Sequence, residues 1–319
     1  MKVWYHAFGT ALREGPCVLT LGNFDGVHIG HMALIDRASA RSKLLGVPLV
    51  AITFDPHPAE IVAPERRPKL LMTLHQRLKA LSCAGVDLVW VIPFTYDVSR
   101  LDPLTFLSGL HAAIAPIELY VGYGFRFGNE RRGDLDSFNH WGREICCKFH
   151  NNTLKLYKGE RVSSTRIRKA LDIGDVELAR ALLGRPYSLT GPVILANSSM
   201  CGINHSIVGS SWEQGQLLRD GIYITEVNLP FISNSLLGIT GISRQSTLCG
   251  TSTSAIIETH LPDFCAALHV YRAELNFLHS LKDWQNFDNA GGVALRMSQG
   301  HRYSIEWYLD YQKQNNLYK

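Results

Sequence analysis

Up to about residue 185 the chain alternates between two textures. Short continuous apolar runs at Cys17–Leu21, Pro48–Thr53, Leu88–Ile92 and Leu119–Val121 are rich in Val, Leu and Ile and read as buried strands. Between them, His31–Leu45, Leu74–Ala84 and Pro103–Ala115 repeat apolar residues at helical spacing. Strands apolar on both faces and joined by helices predict a parallel sheet covered on both sides. Ligands of such sheets lie beyond the carboxyl ends of the strands.

Near Gly184-Arg185-Pro186-Tyr187 the texture changes. A helix predicted over Ser164–Leu183 ends there. Gly221–Leu229, Leu236–Ile242 and Ala255–His260 then read as short strands bounded by Gly, Ser, Asn and Pro, the pattern of a small antiparallel barrel. Helical spacing returns near Gly291–Leu309. The expected division is therefore 1–184 and 185–319, each part long enough to bury its own core.

Composition narrows the class. With 46% hydrophobic and 19% charged residues the chain has a soluble balance, and no apolar run approaches the roughly 20 residues needed to span a bilayer. The start, Met1-Lys2-Val3-Trp4-Tyr5-His6, lacks the apolar stretch of a signal peptide, so the chain is expected to stay in the cytoplasm. Before residue 185 there are 23 Lys+Arg against 18 Asp+Glu, and from residue 185 onward 9 against 10. That excess suits a phosphate-rich small ligand and is too weak and scattered for a nucleic-acid surface. The seven cysteines, Cys17, Cys83, Cys146, Cys147, Cys201, Cys249 and Cys265, are odd in number and form no CxxC pair. Reduced, mostly buried thiols follow, with Cys146-Cys147 expected in a strand.

Four motifs carry chemistry. Gly22-Asn23-Phe24-Asp25-Gly26-Val27-His28-Ile29-Gly30-His31 joins the first of these strands to the helix after it. Such a turn aims backbone N–H groups and the positive helix end at one anion site, where two imidazoles can donate to phosphate oxygens. Phe54-Asp55-Pro56-His57-Pro58 is a rigid turn after the second strand. Gly122-Tyr123-Gly124-Phe125-Arg126-Phe127-Gly128 follows the fourth; its aromatics can stack on a flat ring and its arginines can fork onto phosphate. Ser163-Ser164-Thr165 opens a helix whose hydroxyls and amides can hold phosphate, and Arg168 lies one turn beyond Ser164. Taken singly, each has a plainer reading: a surface βα turn, strand termination, a flexible loop and an ordinary capped helix.

In this order the motifs resemble those of the prokaryotic bifunctional riboflavin kinase/FAD synthetase family, with its HxGH and SSTxxR segments. The resemblance covers nearly the whole chain, strongly over 1–190 and loosely beyond. It implies a Rossmann-like nucleotidyltransferase domain with a parallel sheet, followed by a smaller antiparallel β-barrel domain. It further implies His28, His31 and Arg168 as catalytic residues, with ATP held by Gly22, Asn23, Phe24, Asp25, Gly30, Ser163, Ser164 and Thr165. Flavin would be held by Asp55, His57, Pro58, Phe125 and Phe127. The reaction implied is transfer of AMP from ATP to FMN, giving FAD and pyrophosphate. Mg²⁺ would arrive with ATP, without a dedicated protein cage.

The chain departs from the family at two places. Gly124 stands where the family has Asp or Asn. In the second part, Tyr187–Val193, Gly221-Ile222-Tyr223 and Asn286-Phe287-Asp288 match, and Ile257–Phe264 resembles the segment carrying the kinase base, here Glu258. The family's GFPTAN loop is absent, however: Ile203–Trp212 reads INHSIVGSSW. A carboxylate base cannot transfer phosphate unless Mg·ATP is held in line, so riboflavin kinase activity is expected to be lost or reduced. The competing readings are a fully bifunctional enzyme, a nucleotidyltransferase for another phosphorylated acceptor, and a non-catalytic flavin-binding protein. Oligomeric state is not legible.

Overall fold

Six parallel strands build the first unit. In chain order its elements are β1 (Lys2–Tyr5), β2 (Cys17–Leu21), α1 (Ile29–Leu45), β3 (Leu49–Asp55), α2 (Pro58–Val62), α3 (Leu74–Cys83), β4 (Leu88–Pro93), α4 (Tyr96–Ser99), α5 (Pro103–Ile114), β5 (Pro116–Val121), α6 (Leu135–Glu144) and β6 (Lys148–Asn151). A short hairpin, β7 (Leu156–Tyr157) with β8 (Glu160–Arg161), follows. The computed structural model describes residues 1–12, 15–196, 206–209, 215–230, 232–246, 253–262, 272–281 and 303–314.

The strand order is β1-β4-β3-β2-β5-β6. From β2 the chain steps through β3 and β4 in one direction, then returns to place β5 and β6 on the other side. The reversal lies between β2 and β5, and ligands of doubly wound sheets sit in the crevice outside the carboxyl ends at that switch point. The glycine turn after β2 and the glycine-aromatic loop after β5 both begin there.

Two apolar layers sandwich this sheet because successive strand residues point to opposite faces. Leu19, Ile52 and Trp90 belong to one layer, with Leu107 and Leu110 of α5 and Phe138 of α6. Val18, Ala51 and Val89 belong to the other, with Leu34 and Ile35 of α1 and Leu81 of α3. Each large side chain so buried contributes roughly 1.5–3 kcal/mol.

The chain packs as two units, Met1–Ser164 and Thr165–Lys319. That boundary precedes the change in texture near 185, because a helix before that point packs with the second sheet. The helix predicted over Ser164–Leu183 is two helices, α7 (Ser164–Asp172) and α8 (Val176–Leu183). Gly174 at φ +77° ends the first, and Asp175 caps the second by accepting from Leu178 N–H. Helix α8 lies on β9 and β15.

The second unit holds β9 (Tyr187–Pro192), β10 (Ile194–Ala196), β11 (Ser206–Gly209), β12 (Gly221–Asn228), β13 (Leu236–Ser246), β14 (Thr253–His260) and β15 (Arg272–Ser280), then a helix over 303–314. The antiparallel order is β10-β11-β14-β13-β12-β15-β9. Its two edge strands, β9 and β10, are separated in sequence by Val193 alone, so the sheet must curl on itself, as expected of a barrel. Buried Thr225, Thr240 and Thr259 link three of its strands through hydroxyl contacts of 2.8 and 2.9 Å.

The cysteine expectations also change. Cys146-Cys147 lie in the turn before β6, with Cys146 at φ +57°. Of the four described cysteines, all free, Cys17 and Cys147 are buried while Cys83 and Cys146 are exposed. No helix among the described residues is long and apolar enough to cross a membrane.

Candidate active site

The turn after β2 is wound tightly. Phe24 and Val27 take φ +50° and +37°, with Gly26 between them at +89°. For a branched residue such as Val27 this conformation costs of order 1–3 kcal/mol and persists only where packing imposes it. Packing does so here, since the side chains of Phe24 and Val27 are both buried. Asp25 is buried too: its Oδ1 accepts from Leu71 N–H at 2.9 Å, and its carbonyl accepts from Ser164 Oγ at 2.8 Å. Of the expected ATP segment, Ser164 is thus joined directly to the glycine turn. Thr165 and Arg168 continue along α7.

His28 caps α1, its Nδ1 accepting from His31 N–H at 3.2 Å. The two rings stack 3.7 Å apart, and Phe24 meets His31 edge-on at 5.3 Å. An imidazole that accepts at Nδ1 carries its proton at Nε2 when neutral. His28 therefore presents an Nε2–H donor at a helix N-terminus, the position suited to phosphate. Gly30 makes room for that ring, since a Cβ there would lie 3.1 Å from His28 Nδ1.

The turn after β3 is coupled to the first. Asn23 Nδ2 lies 3.2 Å from His57 Nε2. His57 caps α2, with Nδ1 accepting from Ala59 N–H at 3.1 Å and its own N–H donating to Glu60 Oε1 at 3.2 Å. The His57 proton thus also belongs on Nε2, where the Asn23 side-chain oxygen, with the amide turned over, is its acceptor. Asp55 and Pro58 flank this histidine at the carboxyl end of β3.

The loop after β5 is part exposed, part core. Gly124 takes φ +69°, a conformation glycine adopts freely. Phe125 is half-buried, and Tyr123 is exposed beneath the Arg161 guanidinium. Phe127 is buried instead, 4.3 Å from Phe138 and 5.9 Å from Phe106. Its ring fills the core beneath Phe125, which lies 6.2 Å away and nearly coplanar.

In the second unit, Glu258 is half-buried on β14, opposite Val208 of β11 and Gly241 of β13. Tyr223 on β12 is buried and donates to Arg219 O at 2.6 Å. Residues 203–205, 210–212 and Asn286-Phe287-Asp288 lie outside the described residues.

One buried cation beside these turns belongs to no sequence motif. Arg77 of α3 is fully buried, and its Nη1 donates to Thr53 Oγ1 at 3.0 Å and to Phe54 O at 2.9 Å. The available signal was an arginine on an apolar stripe, at helical spacing between Leu74 and Leu81.

A doubly wound sheet with a glycine turn and paired histidines at its switch point defines an enzyme, a nucleotidyltransferase. The family model for FAD synthetase matches residues 11–166. The bifunctional riboflavin kinase/FMN adenylyltransferase of Pseudomonas fluorescens is 32% identical over 90% of this chain and 95% of its own length. The enzyme of that name from Escherichia coli (strain K12) is 30% identical over 95% and 96%. A crystal structure of a macrolide-efflux protein from Streptococcus pneumoniae matches with a TM-score of 0.84 at 20% identity, covering 96% of this chain and 100% of that one, a likeness of fold. The chain belongs to the bifunctional riboflavin kinase/FMN adenylyltransferase family.

Proposed function

We propose that the first unit transfers AMP from ATP to FMN, and that this is the chain's principal activity. The observation that carries the reading is the stacked His28/His31 pair at the N-terminus of α1. The FMN phosphate, already ionised near pH 7, attacks the α-phosphorus of ATP. A new P–O bond forms there while the bond to the β-phosphate oxygen breaks, releasing pyrophosphate. No strong base is needed, so the protein's part is orientation and stabilisation of charge.

His28 Nε2–H and the first N–H groups of α1 would face the α-phosphate, with His31 beside them. Ser163, Ser164, Thr165 and Arg168 would hold the departing phosphates. Phe125, backed by Phe127, with Asp55, His57 and Pro58, would seat the flavin. Among the described residues no group of three or more His, Cys, Asp or Glu is placed to cage a metal. Mg²⁺ would arrive as an ion carried on the ATP phosphates.

In the second unit we infer reduced or absent riboflavin kinase activity, from the missing loop at Ile203–Trp212. The fully bifunctional reading draws support from the relatives, whose names carry both activities and whose lengths the chain covers almost entirely. Purified protein with Mg·ATP and either FMN or riboflavin, products separated by chromatography, decides between them. FAD from FMN upholds the first proposal. Adenylylation of pantetheine phosphate or nicotinate mononucleotide instead of FMN refutes it.

A further inference from the structure

We propose that Arg77 is a positioning residue that locks the Gly22–His28 turn to the Asp55–Pro58 turn, acting through Thr53. Its consequence for catalysis rests on the adenylyl-transfer reading above.

The geometry is a relay. Arg77 Nη1 donates to Thr53 Oγ1, and that hydroxyl donates onward to Asn23 O at 3.1 Å. The same Nη1 holds Phe54 O, the last carbonyl before Asp55. Asn23 in turn meets His57 through its side chain. One guanidinium therefore reaches the carboxyl ends of β2 and β3 together, at the point where both turns begin.

Arg77 is 0% exposed, and its Nε and Nη2 hydrogen-bond to no described residue. Burial pulls its pKa below the ordinary arginine range, while the charges of Asp25, Asp55 and Glu60 push it back up. Removing one member of a buried charge cluster leaves its partners uncompensated and is destabilising, so the positioning role has to be separated from stability. What Met or Leu cannot supply is a planar, charged donor that spans two strand ends. Asp25, Asp55 and Glu60 sit on the first turn, on β3 and on α2, so the cation also offsets acidic groups from each of the elements it fastens.

The test uses the full chain as wild type, Arg77→Met, Arg77→Lys and Thr53→Val, each checked for folding by circular dichroism. The first readout needs no substrate: the imidazole nitrogen resonances of His57, with His111 on α5 as a remote control. His57 should move in Arg77→Met and Thr53→Val, return toward wild type in Arg77→Lys, and leave His111 unchanged. The second is FAD formation. We expect kcat about a hundredfold lower in Arg77→Met, as for a displacement of about 1 Å, with KM for ATP within about threefold. Lys should recover about tenfold of that loss, and the double variant Arg77→Met/Thr53→Val should be no slower than Arg77→Met, since both break one chain. An unmoved His57 in both single variants overturns the proposal, as does a Lys variant no better than Met with losses that track melting temperature. Should Arg77→Met fail to fold, Thr53→Val carries both readouts. If wild type makes no FAD while His57 responds as described, the adenylyl-transfer reading falls and the anchor stands.

Discussion

The backbone N–H of His31 donates to Nδ1 of His28 at 3.2 Å, while the two rings stack 3.7 Å apart. One hydrogen bond thus caps the helix and sets the tautomer of the histidine ahead of it. The capping role uses Nδ1 and leaves Nε2 for the phosphate-facing role proposed above.

His28→Ala or His31→Ala should each lower kcat for FAD formation by about a hundredfold, as for loss of one preorganised donor. His28→Ala also removes a helix cap, at a cost of about 1 kcal/mol, so it should melt slightly earlier. Steady-state kinetics beside thermal melts separate the two effects. Full turnover in both variants would exclude them from catalysis.

Gly30→Ala should move stability and activity in opposite directions. Alanine favours a helix by up to about 1 kcal/mol over glycine, yet its Cβ would press on His28 Nδ1 at 3.1 Å. We expect an unchanged or higher melting temperature with kcat reduced about tenfold. Wild-type turnover would show that the His28 ring has room to spare.

Acid stability should depend on Glu118. It is buried on β5, bound by Arg41 at 2.7 Å and Tyr120 OH at 3.1 Å, with His150 Nε2 3.1 Å away. Burial works to raise its pKa, but these partners outweigh it and hold the carboxyl below its ordinary 4.5. A folded-state pKa below the unfolded one gives stability that is present above about pH 4.5 and is lost as pH falls through the depressed value. Melting temperatures measured downward from pH 6 should fall below that point in wild type and fall less steeply in Glu118→Gln. Arg41→Met, leaving the buried charge short of its main partner, should cost on the order of 3 kcal/mol near neutrality.

With riboflavin in place of FMN, the full chain and Mg·ATP should yield little FMN and little FAD, and Glu258→Gln should not lower that yield further. Abundant FMN, abolished by Glu258→Gln, would show that the segment Ile203–Trp212 was misread and that Glu258 is a working base.

What the sequence determined by itself was the part encoded in contiguous residues. Continuous apolar runs fix buried parallel strands because both faces must be covered. The turn from Gly22 to His31 is legible because its glycines, cap and imidazoles lie within ten positions and interact locally. The edge strand β1 carries a weaker pattern, and the strand expected at Cys146-Cys147 begins only at Lys148. Tertiary structure alone decided the rest, for reasons of long-range packing. Phe125 and Phe127 look alike in the sequence, but only the fold places Phe127 among Phe106 and Phe138. Helices α7 and α8 join the second unit because α8 packs on β15, about a hundred residues later, where Glu177 Oε1 accepts from Ser280 N–H. Arg77 and Thr53 are 24 positions apart, and no local periodicity encodes a hydrogen bond across that distance. Helix α3 must first pack on the sheet before its arginine can reach the ends of two strands.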